Sequence, residues 1–258
     1  MNATAPISVA KYRRWLPYVA VLQTDVRQTF RNWGYRLWVL AMFLAAFGYL
    51  TYRLGAVREG GFMVHASDVT ADLIRWVVMG GSIAVIAALS VGSISAERGT
   101  LADSVLSRGI SRHQYFLAKW HARLASVLGT VLVLGLVMLV ASHFLLHDNL
   151  TLVGSLVGLI VVAAMLMLVI SGGVTLSALC PSTRVSMSVL WVVLYGGGLM
   201  LELLPKRYPT PDRILRALPT MFMGEYDATL VLNVLSVTAA ASCVIALIGL
   251  IGFSRRDV

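Results

Sequence analysis

The sequence predicts an all-α integral membrane protein with six transmembrane helices. Three observations lead there. Of 258 residues, 58% are hydrophobic and only 13% charged, where a soluble domain carries about 25% charged residues. Mean hydropathy is +0.81. The charge is also segregated: it gathers between long apolar runs, and no Asp, Glu, Lys or Arg lies deep in any of them. A helix crossing a bilayer needs about 20 mostly apolar residues, and six stretches qualify.

Residues 1–36 form a polar, basic N-terminal segment without the pattern of a cleavable signal. Within it, Leu22, Val26, Phe30, Trp33 and Leu37 recur at spacings of three and four, one face of a helix. A basic, aromatic-rich amphipathic helix just before a span is expected to lie in the membrane interface. The bland alternative is a helix packed on protein.

The six-span domain then covers residues 37–258. The spans are expected at about 37–52, 76–96, 124–146, 152–179, 185–204 and 229–253. Arg75, Arg123 and Glu202 fall near span ends, where long side chains reach the interface. Between the second and third spans lies a loop, 96–123, with two start signals. Thr100-x-x-Asp103 and Ser111-x-x-Gln114 both read as capping boxes, and Ser107-Arg108-Gly109 reads as a helix stop between them. So the loop is a short helix carrying Leu101 and Val105, a turn, and a helix running into the third span. The other long connection, 205–228, holds four of the seven prolines, and Thr210-Pro211-Asp212 reads as a cap followed by proline at the first helical position. A short helix along the outer interface is expected there. Gly92 and Gly196-Gly197-Gly198 are candidates for close helix approach between two copies, or else within one.

Orientation follows from Lys and Arg. With six spans, 14 of the 21 fall on the side of the termini and the 96–123 loop, and 7 on the other. The excess places both termini in the cytoplasm, and the net charge of +9 needs no nucleic acid to account for it.

Catalytic signatures are missing. There is no phosphate loop of the form G-x-x-x-x-G-K-[ST], no H-E-x-x-H and no G-x-S-x-G. Ile170–Val174, "ISGGV", lies in an apolar run and reads as small packing residues. His143 and His147 are four apart, a spacing that suits a metal, but at a span end interfacial polar residues are the simpler reading. Met165, Met167, Met221 and Met223 read as gap-filling apolar residues. Cys180 and Cys243 lack metal-ligand spacing and read as small apolar residues.

The loop "AERGTLADSVLSRGISRHQYFLAKW" resembles the cytoplasmic loop of ABC type-2 permeases. In that family an acidic residue and Gly-Thr-Leu follow the second span, and a Ser-Arg-initiated helix with a lysine precedes the third. The matching residues are Glu97, Gly99, Thr100, Leu101, Leu106, Ser111, Arg112, Leu117 and Lys119. The tail "GFSRRDV" resembles the family's Phe-x-Arg-Arg-Asp ending through Phe253, Arg255, Arg256 and Asp257. Ala102-Asp103-Ser104 departs from the more apolar run common in relatives.

The resemblance implies a permease subunit of an ABC transporter in the inner (cytoplasmic) membrane, itself not an enzyme. It would pair with a second copy or a homologous permease, sit on a dimer of cytosolic ATPases that bind ATP and Mg, and accept an outer-side accessory protein. This chain would bind no cofactor or metal. The 96–123 loop would supply a coupling helix contacting the ATPase through Glu97, Gly99, Thr100, Leu101, Asp103, Val105 and Leu106. The activity implied is export, or mechanical transmission across the membrane. Two other classes compete: a secondary transporter, which usually keeps ionisable groups inside its spans, and a non-transporting anchor or intramembrane enzyme.

Overall fold

The computed structural model describes residues 15–60, 65–97, 110–146, 149–203 and 210–255. All regular structure among them is helical. In chain order the helices are α1 (Leu16–Arg31), α2 (Trp33–Gly60), α3 (Ala66–Leu73), a π-helical segment (Ile74–Gly81), α4 (Ile83–Ser95), α5 (Arg112–Leu145), α6 (Leu152–Leu179), α7 (Thr183–Leu203), α8 (Pro211–Arg216), α9 (Leu218–Phe222) and α10 (Ala228–Ser254). Five are long and apolar enough to cross a membrane: α2, α5, α6, α7 and α10. Ala66–Gly81 and Ile83–Ser95 meet the same measure together, bent by 43°.

That bend has a local cause. Gly80 and Gly81 are poor helix formers, and helices kink at π turns and at Gly/Ser pairs. The Ser82 hydroxyl donates to the Val77 carbonyl at 2.9 Å, which occupies an acceptor inside the widened turn.

At the centre stands α6, which packs on α4, α5, α7, α9 and α10. Leu166, Ile170 and Val174 are fully buried with Ile86 and Ile94 of α4, Val127 of α5 and Phe253 of α10. Each such side chain contributes about 1.5–3 kcal/mol relative to exposure in water. Thr151 caps α6: its hydroxyl oxygen accepts from the Gly154 N–H at 3.2 Å and its own N–H donates to the Phe222 carbonyl at 2.9 Å. Pro181, just past the C-terminus, cannot continue the helix.

The N-terminal segment differs from its sequence reading. A single helix was expected through Trp33, but Asn32 has an extended backbone and breaks it. The Asn32 side chain then accepts the Gly34 N–H at 2.8 Å and starts α2. The apolar line expected at the membrane interface is not the face that docks on protein. Leu22 and Val26 are half-buried, Phe30 and Trp33 are exposed, and the buried positions are Asp25 and Thr29, which face α5.

At the opposite end of the bundle, Thr210 precedes Pro211 at the start of α8 as expected, although the Thr210 side chain makes no capping bond. The short helices α8 and α9 pack on the bundle. Ile214, Leu218, Met221 and Phe222 are buried, and α9 packs on α6 and α3. Two ion pairs, Arg53–Asp72 at 3.1 Å and Arg75–Asp212 at 3.5 Å, and an Asn149–Ser67 hydrogen bond at 2.8 Å close this end.

Candidate functional site

The most unusual chemistry in the chain is a buried ion cluster where α1, the end of α4 and the start of α5 meet. Ser111 starts α5 through the expected capping box: its hydroxyl oxygen accepts the Gln114 N–H at 3.2 Å, and the Gln114 side chain accepts the Ser111 N–H at 3.3 Å. From that start, Tyr115, Lys119 and Arg123 recur every four residues and so share one face of α5. The same face meets Asp25 and Thr29 of α1, also four apart.

Lys119 Nζ donates to Asp25 Oδ1 at 2.7 Å and to Glu97 Oε1 at 2.6 Å. Tyr115 donates its hydroxyl to Glu97 Oε2 at 2.6 Å. Arg123 lies 3.8 Å from Asp25 Oδ1 and donates to the Thr29 hydroxyl at 2.7 Å. The side chains of Lys119 and Asp25 are 4% and 3% exposed, those of Arg123 and Glu97 12% and 19%. Two carboxylates thus meet two cations in a nearly closed site. Desolvation offsets much of the Coulomb attraction in such a cluster, so it is weak as a source of net stability. Removing one member is another matter: an uncompensated buried charge costs about 3–5 kcal/mol. The cluster therefore fixes how the three elements dock.

The end of α4 just before Glu97 is held as well. The Ser177 hydroxyl oxygen of α6 accepts the N–H groups of Ile94 and Ser95 at 3.0 and 2.8 Å, and Ser95 and Thr183 share a hydroxyl–hydroxyl bond at 2.7 Å. Across α5, Arg112 donates to the Ser254 carbonyl at the end of α10 at 3.4 Å, a favourable position for a cation. Tyr115 and Phe116 pack on Phe253, with ring centroids 6.1 and 6.4 Å apart. The residue before segment 98–109 and the residues just after it are thereby tied to four helices.

Of the sequence-predicted coupling residues, Glu97 is placed in this cluster. Gly99, Thr100, Leu101, Asp103, Val105 and Leu106 lie outside the described residues, as do Arg256 and Asp257 of the tail. Asp25 and Tyr115 were not singled out by sequence, and Arg123, expected to reach the membrane interface from a span end, turns instead into this cluster. Asp25 and Arg123 carried a signal: Asp25 is the only acid in the first 36 residues, and Arg123, with Lys119, brings charge into a stretch rich in apolar and aromatic residues.

Other candidates resolve simply. No group of three His, Cys, Asp or Glu side chains gathers among the described residues. Met165 and Met221 are core residues, and Met167 packs against the same core. A Cβ added at Gly92, Gly196, Gly197 or Gly198 would meet nothing within 4 Å, so these glycines serve no close approach among the described residues. No family model matches the chain, and no curated protein matches it.

Proposed function

We propose that this chain is the six-span permease subunit of an ABC transporter, with the bent pair α3–α4 as its second span and both termini in the cytoplasm. The observation that carries the reading is the Glu97–Lys119–Asp25 cluster. In this reading segment 98–109 takes up motion from a cytosolic ATPase dimer, which binds ATP and Mg. A segment that transmits force needs a stiff footing. Glu97 at its base is bonded to Lys119 and Tyr115, and through Lys119 to Asp25, so displacement of the segment pulls on α1, α4 and α5 as one body. The sequence resemblance of 96–123 and the tail to ABC type-2 permeases supplies the rest: pairing with a second copy or homologous chain, location in the inner membrane, and export or mechanical transmission as the output.

A carrier driven by an ion gradient would place such charges at mid-membrane. Helix α5 has 34 residues, about 50 Å at 1.5 Å per residue, and a hydrocarbon core is about 30 Å thick. With its stretch 124–145, free of Asp, Glu, Lys and Arg, laid in the core, its first turns, which hold Tyr115 and Lys119, extend beyond it.

Affinity purification of the full chain from its native membrane tests the reading. An ATP-hydrolysing chain should accompany the wild type. Leu101→Asp, which places a charge at a position the resemblance assigns to the contact, should lose that chain while still inserting in the membrane. Glu97→Gln should keep the partner and lower the hydrolysis linked to it. A wild type that brings down no ATPase, or a Leu101→Asp variant with full assembly and full coupled hydrolysis, overturns the proposal.

A further inference from the structure

Helix α1 uses one face to dock on α5 and leaves two others bare. Asp25, the only acid in the first 36 residues, is the buried partner of Lys119. Its negative charge is thereby withdrawn from the surface of α1. What remains exposed is Arg27 and Arg31, four residues apart and on one side of the helix. Neither has a carboxylate partner among the described residues. Beside them run exposed apolar side chains: Leu16 at 64%, Val19 at 40% and Phe30 at 47%. Arg27 stands three residues from Phe30, so cation and ring share neighbouring lines of the helix surface.

Position fixes what these residues meet. Asn32 is the only residue between α1 and α2, and α2 is long and apolar enough to cross the membrane. Arg27 lies six positions before Trp33, the first residue of α2, and Arg31 two. Exposed Trp33, at 71%, suits the membrane–water boundary. The arginines then lie at headgroup level, with Val19 and Phe30 toward the acyl chains.

We propose that α1 is an anionic-lipid-binding element, in which the Arg27–Arg31 face takes the phosphates of acidic phospholipids. Apolar residues alone would serve any bilayer; a helix surface stripped of its one acid and left with unpaired arginines matches a negative leaflet. Each cation held near such a surface favours the contact by about fivefold. The proposal requires α2 to sit in a bilayer and requires no ATPase, so it stands or falls separately from the coupling role of segment 98–109.

The test uses the full chain reconstituted in phosphatidylcholine vesicles doped with a fluorescent acceptor lipid, either phosphatidylglycerol or phosphatidylcholine. Energy transfer from the protein's tryptophans reports which lipid gathers beside it. Wild type should favour the labelled phosphatidylglycerol severalfold at low salt. That preference should shrink in about 1 M salt, where the screening length is about 3 Å, and in the Arg27→Gln/Arg31→Gln variant. Both arginines are exposed, so the double variant should melt with the wild type. Equal transfer to the two lipids, or a preference that the double variant retains, overturns the proposal: the first result means that the face is covered by protein or is indifferent to charge, and the second places the preference elsewhere on the chain.

Discussion

Helices α6 and α7 are neighbours in sequence and both are long apolar segments, yet they are used differently. Of the most apolar stretch of α6, 61% is buried; of the corresponding stretch of α7, 11%. Their glycines show what this means. A Cβ at Gly154 would stand 2.2 Å from the Met221 carbonyl oxygen, and one at Gly158 would stand 2.4 Å from the Phe222 ring. In α7, Gly196, Gly197 and Gly198 face open space, and Val192, Tyr195, Leu199 and Met200 are exposed around them. The glycines of α6 let other elements approach. Among the described residues those of α7 give close approach to nothing, although each weakens the helix by about 1 kcal/mol relative to Ala.

The strongest way to break the comparison is Gly154→Val. The new side chain would collide with the Met221 carbonyl oxygen, the Thr151 hydroxyl at 2.6 Å and the Gly224 nitrogen at 2.8 Å. Two of these are backbone atoms that cannot turn aside. We expect a loss of more than about 3 kcal/mol, at the upper end of overpacking effects, seen as failure to recover folded protein in detergent. A melting temperature like that of wild type would mean that α9 does not dock on α6 as described.

A milder change at the same junction sharpens the point. Thr151→Ala removes the hydroxyl that accepts from Gly154 and also reaches the Phe222 carbonyl at 3.2 Å. The Thr151 N–H bond to Phe222 at 2.9 Å survives. The expected cost is about 1 kcal/mol, that of a lost N-cap, measured as a shift in the midpoint of unfolding. No shift would show that the backbone bond alone holds the junction.

Sequence made α6 legible and left the ion cluster hidden, for a physical reason. The charge-free run around 152–179 has no alternative ending before Pro181, and the Ser111 capping box is a four-residue signal; both are local. The docking face of α1 is not local. Periodicity marks Leu22, Val26, Phe30 and Trp33 as the line expected at the membrane interface, while the face that docks on protein is chosen by Lys119, 94 residues from Asp25. A lone acid on an amphipathic helix carries no mark of its partner until α5 is laid beside it. The break at Asn32 escaped for a related reason: the apolar spacing continues through it unchanged, while the backbone turns. The kink at Gly80-Gly81-Ser82 had a readable composition, but the π-helical turns of Ile74–Gly81 before it have no such mark in the sequence.

The smallest expected effect on stability is at Gly197, and it is the most informative about α7. Gly197→Leu adds a large side chain where nothing lies within 4 Å, so no clash arises in the isolated subunit. Leucine is also the better helix former by close to 1 kcal/mol. Subunit stability should therefore stay level or rise slightly, opposite in sign to Gly154→Val. Association should respond differently if, as we propose, two permease chains pair along α7. Small residues let helices approach closely in a membrane, and a leucine at the contact would hold them apart. The measurement is dimer content in detergent or nanodiscs, read by mass photometry, together with crosslinking through a single cysteine at Leu199, which is 65% exposed, in a background lacking Cys180 and Cys243. Wild type should crosslink between chains and Gly197→Leu should not, at equal melting temperature. If the variant dimerises and crosslinks as wild type does, α7 faces lipid, and the pairing surface must be sought on the other exposed helices, α2 or α10.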